Sequence, residues 1–227
     1  MAPKVKRPPK IASPAEPLPE KPIRPRGRYV WYLLAFIVAA GVLAWASYLA
    51  YQRSLTGWEY AWLAFVNGWP ESWRNYFLVA NIAPNALWFG LAAVVVAYVL
   101  KLYRLAWRLA ASILLGTGLV YVIKNVIVRA RPEDLVGGIH VRTTELTPGF
   151  PSGHAMMITV VLLTLFPYLP KGWRIPVLLL IPIVALSRLY LGVHAPLDVI
   201  GGVAVGVVVI AGIRILPQVI RRWLRLS

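Results

Sequence analysis

The chain has 227 residues, 59% of them hydrophobic and only 14% charged, and it contains no cysteine. That balance excludes an ordinary soluble domain, in which roughly a quarter of residues are charged, and it excludes disulfides, thiolate metal sites and a cysteine nucleophile. The formal net charge of +16 would fit a nucleic-acid binder in a soluble chain; here the basic residues fall between apolar runs, as topology signals do, so no nucleic-acid partner is expected.

Residues 1–28 are rich in proline and basic side chains and offer little to pack. They read as a disordered basic cytoplasmic tail, with binding of anionic lipid heads by Lys4, Lys6, Arg7 and Lys10 as the functional alternative. Tyr29–Tyr51 is an uncharged run of 23 residues, long enough to span a bilayer and too long for a signal-peptide core, so it is expected to be an uncleaved first helix. Arg53–Arg74 reads as an interfacial loop holding a short amphipathic helix around Trp58–Asn67. Tyr76–Leu100 is the second span, with Pro84 as a kink site. Leu109–Val128 is the third, followed by a polar loop from Arg129 to Pro151. His154–Leu169, Ile175–Leu191 and Pro196–Leu216 complete the set. The glycines of the last span (Gly201, Gly202, Gly206) fit tight helix contacts, serving internal packing or a dimer seam equally well. Residues 217–227 form a basic C-terminus.

The expected fold is therefore an all-α polytopic bundle of six transmembrane helices over 29–216. An even number of spans puts both termini on one side, together with the basic connections Lys101–Arg108 and Lys171/Arg174, and the positive-inside rule makes that side cytoplasmic. The ends of spans three and five and the starts of spans four and six then meet at the opposite, extracytoplasmic face. Three distant clusters lie at those four places.

In the first cluster, Lys124 and Arg131 are two cations placed against the topology rule, which asks for an anionic partner. If the third helix continued to Arg131, the seven-residue spacing would put both on one face. In the second, Pro151-Ser152-Gly153-His154 opens the fourth span, with Ser152 as N-cap and Gly153 allowing close approach of a ligand to the free N–H groups of a helix start. In the third, Ser187-Arg188 ends the fifth span, and His194 and Asp198 stand at i and i+4 about the start of the sixth. A carboxylate one turn from an imidazole holds one ring nitrogen as N–H and leaves the other free. Each cluster alone also fits a bland role, respectively snorkelling, an ordinary cap and a structural hydrogen bond. Together, three cations, a backbone nest, two histidines and a carboxylate suit phosphoryl transfer. Three adjacent cations would repel a metal, so no metal and no cofactor is expected.

The spacings Lys124-x6-Arg131-Pro132, Pro151-Ser152-Gly153-His154 and Ser187-Arg188-x5-His194-x3-Asp198 resemble the three-part signature of the phosphatidic acid phosphatase type 2 superfamily, with every signature position filled. The resemblance implies a lipid phosphate phosphatase acting on an isoprenyl diphosphate or a phosphatidate-type lipid. It further implies that His194 attacks phosphorus to give a phosphohistidine, that Asp198 orients it, and that His154 protonates the leaving group and then activates water. Lys124, Arg131, Ser152, Gly153 and Arg188 would hold the phosphoryl oxygens. His140, Arg129 and Arg142 lie outside the signature; the two arginines read as solvated loop charges, or as contacts to a second phosphate or headgroup. A phosphotransferase using the same site and a non-catalytic lipid transporter are the alternative functions.

Overall fold

The computed structural model describes residues 28–80 and 86–224. The expected disordered tail, with its alternative of lipid binding by Lys4, Lys6, Arg7 and Lys10, and the kink site at Pro84 lie outside the described residues. Within them the chain is helical, in the order α1 (Arg28–Tyr51), α2 (Gly57–Asn67), α3 (Arg74–Ala80), α4 (Ala86–Val99), α5 (Tyr103–Ile127), α6 (Pro132–Leu135), α7 (Gly153–Leu165), α8 (Lys171–Leu178), α9 (Leu180–Tyr190) and α10 (Pro196–Trp223). Four helical stretches among the described residues are long and apolar enough to cross a membrane: Tyr29–Tyr51, Tyr103–Leu135, Lys171–Tyr190 and Pro196–Ile220. The apolar helices Ala86–Val99 and Gly153–Tyr168 are shorter. The architecture is an all-α polytopic membrane bundle.

The third expected span, α5, begins earlier than its apolar run, because charge ends a hydrophobic stretch without ending a helix. Arg104 and Arg108 lie in its first turns, and Arg108 donates to the Tyr168 hydroxyl at 2.8 Å. The fifth apolar stretch is α8 leading through Leu179 into α9. The amphipathic helix expected around Trp58–Asn67 is α2. It buries Glu59, Leu63, Val66 and Asn67 while Trp58, Trp62 and Phe65 stay exposed.

At the centre, α7 is buried on nearly all sides, against α10, α5, α4 and α9, and α1 packs along α10. The contact of α7 with α10 is closer than side chains would allow. A Cβ on Gly202 would lie 2.3 Å from the Ser152 carbonyl oxygen, and one on Gly206 would lie 2.7 Å from the Thr159 side chain. These glycines serve packing inside one chain. Around this seam, Met156, Met157, Val160 and Val161 pack with Leu109, Ile113, Val120, Val205 and Val209 as the main apolar core.

Candidate active site

One end of the bundle collects every residue expected at the site. Helix α5 stops at Ile127, and Val128 takes a left-handed conformation at φ 47°. Lys124 and Arg131 are therefore not two turns apart on one continuous helix, as the seven-residue spacing allowed; the chain turns between them. They converge by another route, on the loop that returns from α6. Lys124 Nζ donates to Thr147 Oγ1 at 3.3 Å and to the Pro148 carbonyl, and Arg131 Nε donates to the Thr147 carbonyl at 2.8 Å. Arg131 also donates from Nη1 to the Val193 carbonyl at 2.6 Å, which anchors the residue next to His194.

Ser152 caps α7, its Oγ accepting from the Ala155 N–H at 3.5 Å, and its own N–H donates to the Asp198 carbonyl at 2.8 Å. That bond ties the start of α7 to the start of α10. Gly153 follows as the first residue of α7, and a Cβ there would meet nothing within 4 Å, so the backbone borders open space. His194 lies in the turn between α9 and α10. The turn requires Gly192 twice over: its φ is +78°, and a Cβ would sit 2.6 Å from the His140 carbonyl oxygen.

His194 is buried, with Nδ1 3.4 Å from Asp198 Oδ2. The same Oδ2 accepts from the Ala195 N–H at 2.8 Å, which fixes the carboxylate. Burial first, and then the charges of Arg188, Arg131, Lys124 and His154, push the His194 imidazole well below the ordinary histidine range. The ring is neutral at neutral pH, with Nδ1 toward Asp198 and Nε2 toward the Glu145 carboxylate.

Glu145, a residue that sequence reasoning missed, occupies the space in front of that nitrogen. Its carboxylate accepts from Arg131 Nη2 at 2.8 Å and from Arg188 Nη2, and lies 3.9 Å from His194 Nε2 and 3.7 Å from His154 Nδ1. Two arginines and two histidines from four parts of the chain thus converge on one anionic group. Glu145 is the only acidic residue between Asp134 and Asp198, the one trace it leaves in the sequence.

The expectation that Arg129 and Arg142 are solvated loop charges is overturned. Arg129 is buried, held bidentately by Glu59 at 3.0 and 2.9 Å and bonded to Asp198 Oδ1 at 3.1 Å. Arg142 donates to Glu71 at 2.9 Å and to the carbonyls of Asn67 and Tyr190 at 3.0 and 2.7 Å, and it stacks 4.1 Å over the Tyr190 ring. The Arg142 hydrogen bond holds the Glu71 carboxyl below the usual carboxylate range. An arginine among so few acids finds a carboxylate even at long sequence separation. His140 joins the scaffold through its backbone, its N–H donating to Asn67 Oδ1 at 2.8 Å and its carbonyl accepting from Asn67 Nδ2 at 2.9 Å. Among the described residues no group of three or more His, Cys, Asp or Glu side chains is arranged to hold a metal ion.

The fold is that of a polytopic helical membrane protein, and the site sets paired histidines beside two arginines that share one carboxylate, an arrangement that fits a membrane lipid phosphatase. The model of the PAP2 superfamily matches residues 105–222, and the chain belongs to that superfamily. Among its relatives, the decaprenylphosphoryl-5-phosphoribose phosphatase of Mycobacterium tuberculosis is 35% identical over 132 residues, covering 58% of this chain and 72% of the relative. The undecaprenyl-diphosphatase of Sulfolobus acidocaldarius is 33% identical over 104 residues, covering 45% and 50%. The phosphatidylglycerophosphatase B of Bacillus subtilis is 31% identical over 134 residues, covering 53% and 64%. The crystal structure of Aquifex aeolicus LpxE superposes with a TM-score of 0.59 at 21% identity, over 69% of this chain and 93% of that one, a likeness of fold.

Proposed function

We propose that the protein hydrolyses a lipid phosphomonoester or diphosphate, of isoprenyl diphosphate or phosphatidate type, through a phosphohistidine on His194. The observation that carries this reading is the position of the Glu145 carboxylate, held by Arg131 and Arg188 in front of His194 Nε2. It stands where a phosphoryl group would lie for in-line attack, and the substrate phosphate takes its place.

Asp198 holds His194 in the tautomer with the proton on Nδ1, so that the Nε2 lone pair attacks phosphorus. A P–N bond forms as the bond to the lipid oxygen, or to the bridging oxygen of a diphosphate, breaks. His154 gives its proton to that leaving oxygen. His154 then takes a proton from water, the hydroxide attacks phosphorus, the P–N bond breaks and inorganic phosphate departs. Lys124, Arg131 and Arg188, with Ser152 and the Gly153 backbone, neutralise the equatorial oxygens. These cations do the work that a metal does elsewhere, so the reaction as drawn runs without one.

The proposed topology is six spans over 29–216, with Ala86–Val99 and Gly153–Tyr168 as the two short ones, both termini in the cytoplasm and the site at the extracytoplasmic face. Residues 1–28 and 217–227 are basic cytoplasmic flanks. The distribution of Lys and Arg between the apolar runs supports this orientation.

The test is phosphate release by detergent-purified protein in excess chelator, from undecaprenyl diphosphate, phosphatidate and phosphatidylglycerol phosphate, beside His194→Ala. Release that the substitution abolishes, with a phosphorylated wild-type protein trapped by acid quench, is the expected result. Release that survives His194→Ala, or that requires a divalent ion, would overturn the mechanism. Folded protein inactive on all three lipids would favour transport or transfer to another acceptor.

A further inference from the structure

Behind His194, on the side away from Glu145, lies a chain of buried charges that the reaction as drawn does not use. Asp198 presents Oδ2 to the histidine and Oδ1 to Arg129, whose Nη1 is 3.1 Å away. Arg129 Nη1 and Nη2 in turn clasp the two oxygens of Glu59 at 3.0 and 2.9 Å, and Nη2 also donates to the Ser54 carbonyl at 2.7 Å. Glu59 accepts three further bonds, from the Thr56 N–H at 3.0 Å, the Thr56 hydroxyl at 3.1 Å and the Leu197 N–H at 3.3 Å. The side chains of Arg129 and Glu59 are wholly buried and that of Asp198 nearly so.

Burying three charges is costly unless each is paired, and such a chain is weak evidence for stability. What this one does supply is orientation. With Oδ1 pinned by Arg129 and Oδ2 by the Ala195 N–H, the carboxylate plane cannot turn away from His194. Glu59 matters as much as Arg129. Left alone, the guanidinium would cancel the negative field of Asp198 at the imidazole. Clasped by Glu59, it fixes the carboxylate while the ensemble of Glu59, Arg129 and Asp198 keeps one net negative charge. That charge stabilises the ring as it becomes cationic on phosphorylation.

We propose that Arg129 and Glu59 are positioning residues of the phosphatase reaction, acting through Asp198 to hold the tautomer and the electrostatic support of the nucleophile His194. The inference rests on the reading of His194 as nucleophile. Arg129 does not touch substrate, because it is sealed behind Asp198 and shares no contact with Glu145. The geometry also gives α2 a part in the site. Its first turn carries Glu59, and the same carboxylate receives an N–H from the first turn of α10.

The test uses full-length protein in detergent with undecaprenyl diphosphate and phosphatidate, comparing wild type, Arg129→Met, Arg129→Lys, Glu59→Gln, Asp198→Asn, Asp198→Asn/Arg129→Met and His194→Ala. Loss of the orienting carboxylate in a hydrolytic triad lowers kcat by about 10⁴-fold; a residue acting through it should cost less, about 10- to 100-fold for Arg129→Met. The loss should lie in kcat, with KM little changed, and Arg129→Lys should recover part of it. In the Asp198→Asn background Arg129→Met should add almost nothing, since the route of its effect is already cut. Glu59→Gln should move the acid limb of kcat/KM to lower pH, because removing a negative charge makes the imidazole harder to protonate. A folded Arg129→Met enzyme with unaltered kcat, a loss confined to KM, or losses that multiply with Asp198→Asn would each overturn the proposal. Should Arg129→Met not fold, Glu59→Gln decides by the direction of its acid limb; no movement refutes the relay. Activity surviving in His194→Ala would instead sink the phosphohistidine reading, so the two failures are distinct.

Discussion

Replacing Glu145 by glutamine removes the anion that fills the cradle while nearly preserving its shape. In the structure its carboxylate makes two charge-assisted hydrogen bonds, to Arg131 and Arg188, and its side chain is 24% exposed. Such bonds are worth about 1.5–3 kcal/mol each when well buried, but partial exposure and the rehydration of the displaced carboxylate reduce the sum. A net preference of about 1–2 kcal/mol for the seated carboxylate leaves the cradle open in roughly 3–16% of molecules, so apparent affinity is reduced by the inverse of that fraction. Glu145→Gln should therefore lower KM by about 5- to 30-fold. Inhibition by inorganic phosphate should tighten in parallel, since the product competes for the same cations. Initial rates of phosphate release in mixed micelles, at varied surface concentration of lipid and with added phosphate, measure both. A KM that stays the same or rises, with a collapse of kcat, would refute the reasoning. Glu145 would then be a participant in proton transfer and not a displaceable stand-in for the phosphoryl group.

Other expectations follow from the same geometry. The His194 imidazole is held below its ordinary range, so neutral nucleophile persists as pH falls, and the acid limb of kcat/KM belonging to this residue lies below about pH 6.5. For the same reason the unfolded chain takes up a proton there that the folded one refuses. Stability should fall as pH drops below about 6.5 toward the folded value, and His194→Gln should flatten that slope in detergent melts. Gly202→Ala sets a methyl against the Ser152 carbonyl. It should destabilise by about 1–3 kcal/mol and lower kcat as well, measured by thermal unfolding and phosphate release. Asn67→Ala strips partners from the His140 N–H and from the His140 and Tyr190 carbonyls. It should lower the unfolding midpoint through about 1–3 kcal/mol for the His140 groups left unpaired, while the Tyr190 carbonyl keeps its bond from Arg142.

The apolar helices were legible in the sequence because a bilayer demands long uncharged runs, and the capped helix at Ser152 was legible because N-caps have their own chemistry. Lys124, Arg131, His154, Arg188, His194 and Asp198 were legible as a group, since cations and histidines at span ends have few packing explanations. The path between Lys124 and Arg131 was not. A β-branched valine gives no warning of a left-handed turn, and Val128 adopts one. Nor was the pairing of Glu59 with Arg129, 70 residues apart; no local pattern records which carboxylate meets which guanidinium. A scarcity argument would have gone further. With eight acids against 24 basic residues, an acid inside an apolar helix such as α2, or isolated in the second half of a polar loop as Glu145 is, marks a place where positive charge gathers.

The glycine seam between α7 and α10 has a consequence for how such an enzyme diversifies. One helix carries His154 and the other Asp198, with His194 two residues before its start. Because backbone nearly touches backbone along Gly202 and Gly206, the spacing of the reacting groups is set by main chain and not by any adjustable side-chain filling. Facing outward, α1 and α4 expose Trp31, Ile37, Trp88 and Val95, surfaces that can be rewritten residue by residue without altering that spacing. The membrane-facing surface can thus change freely around a centre of fixed gauge.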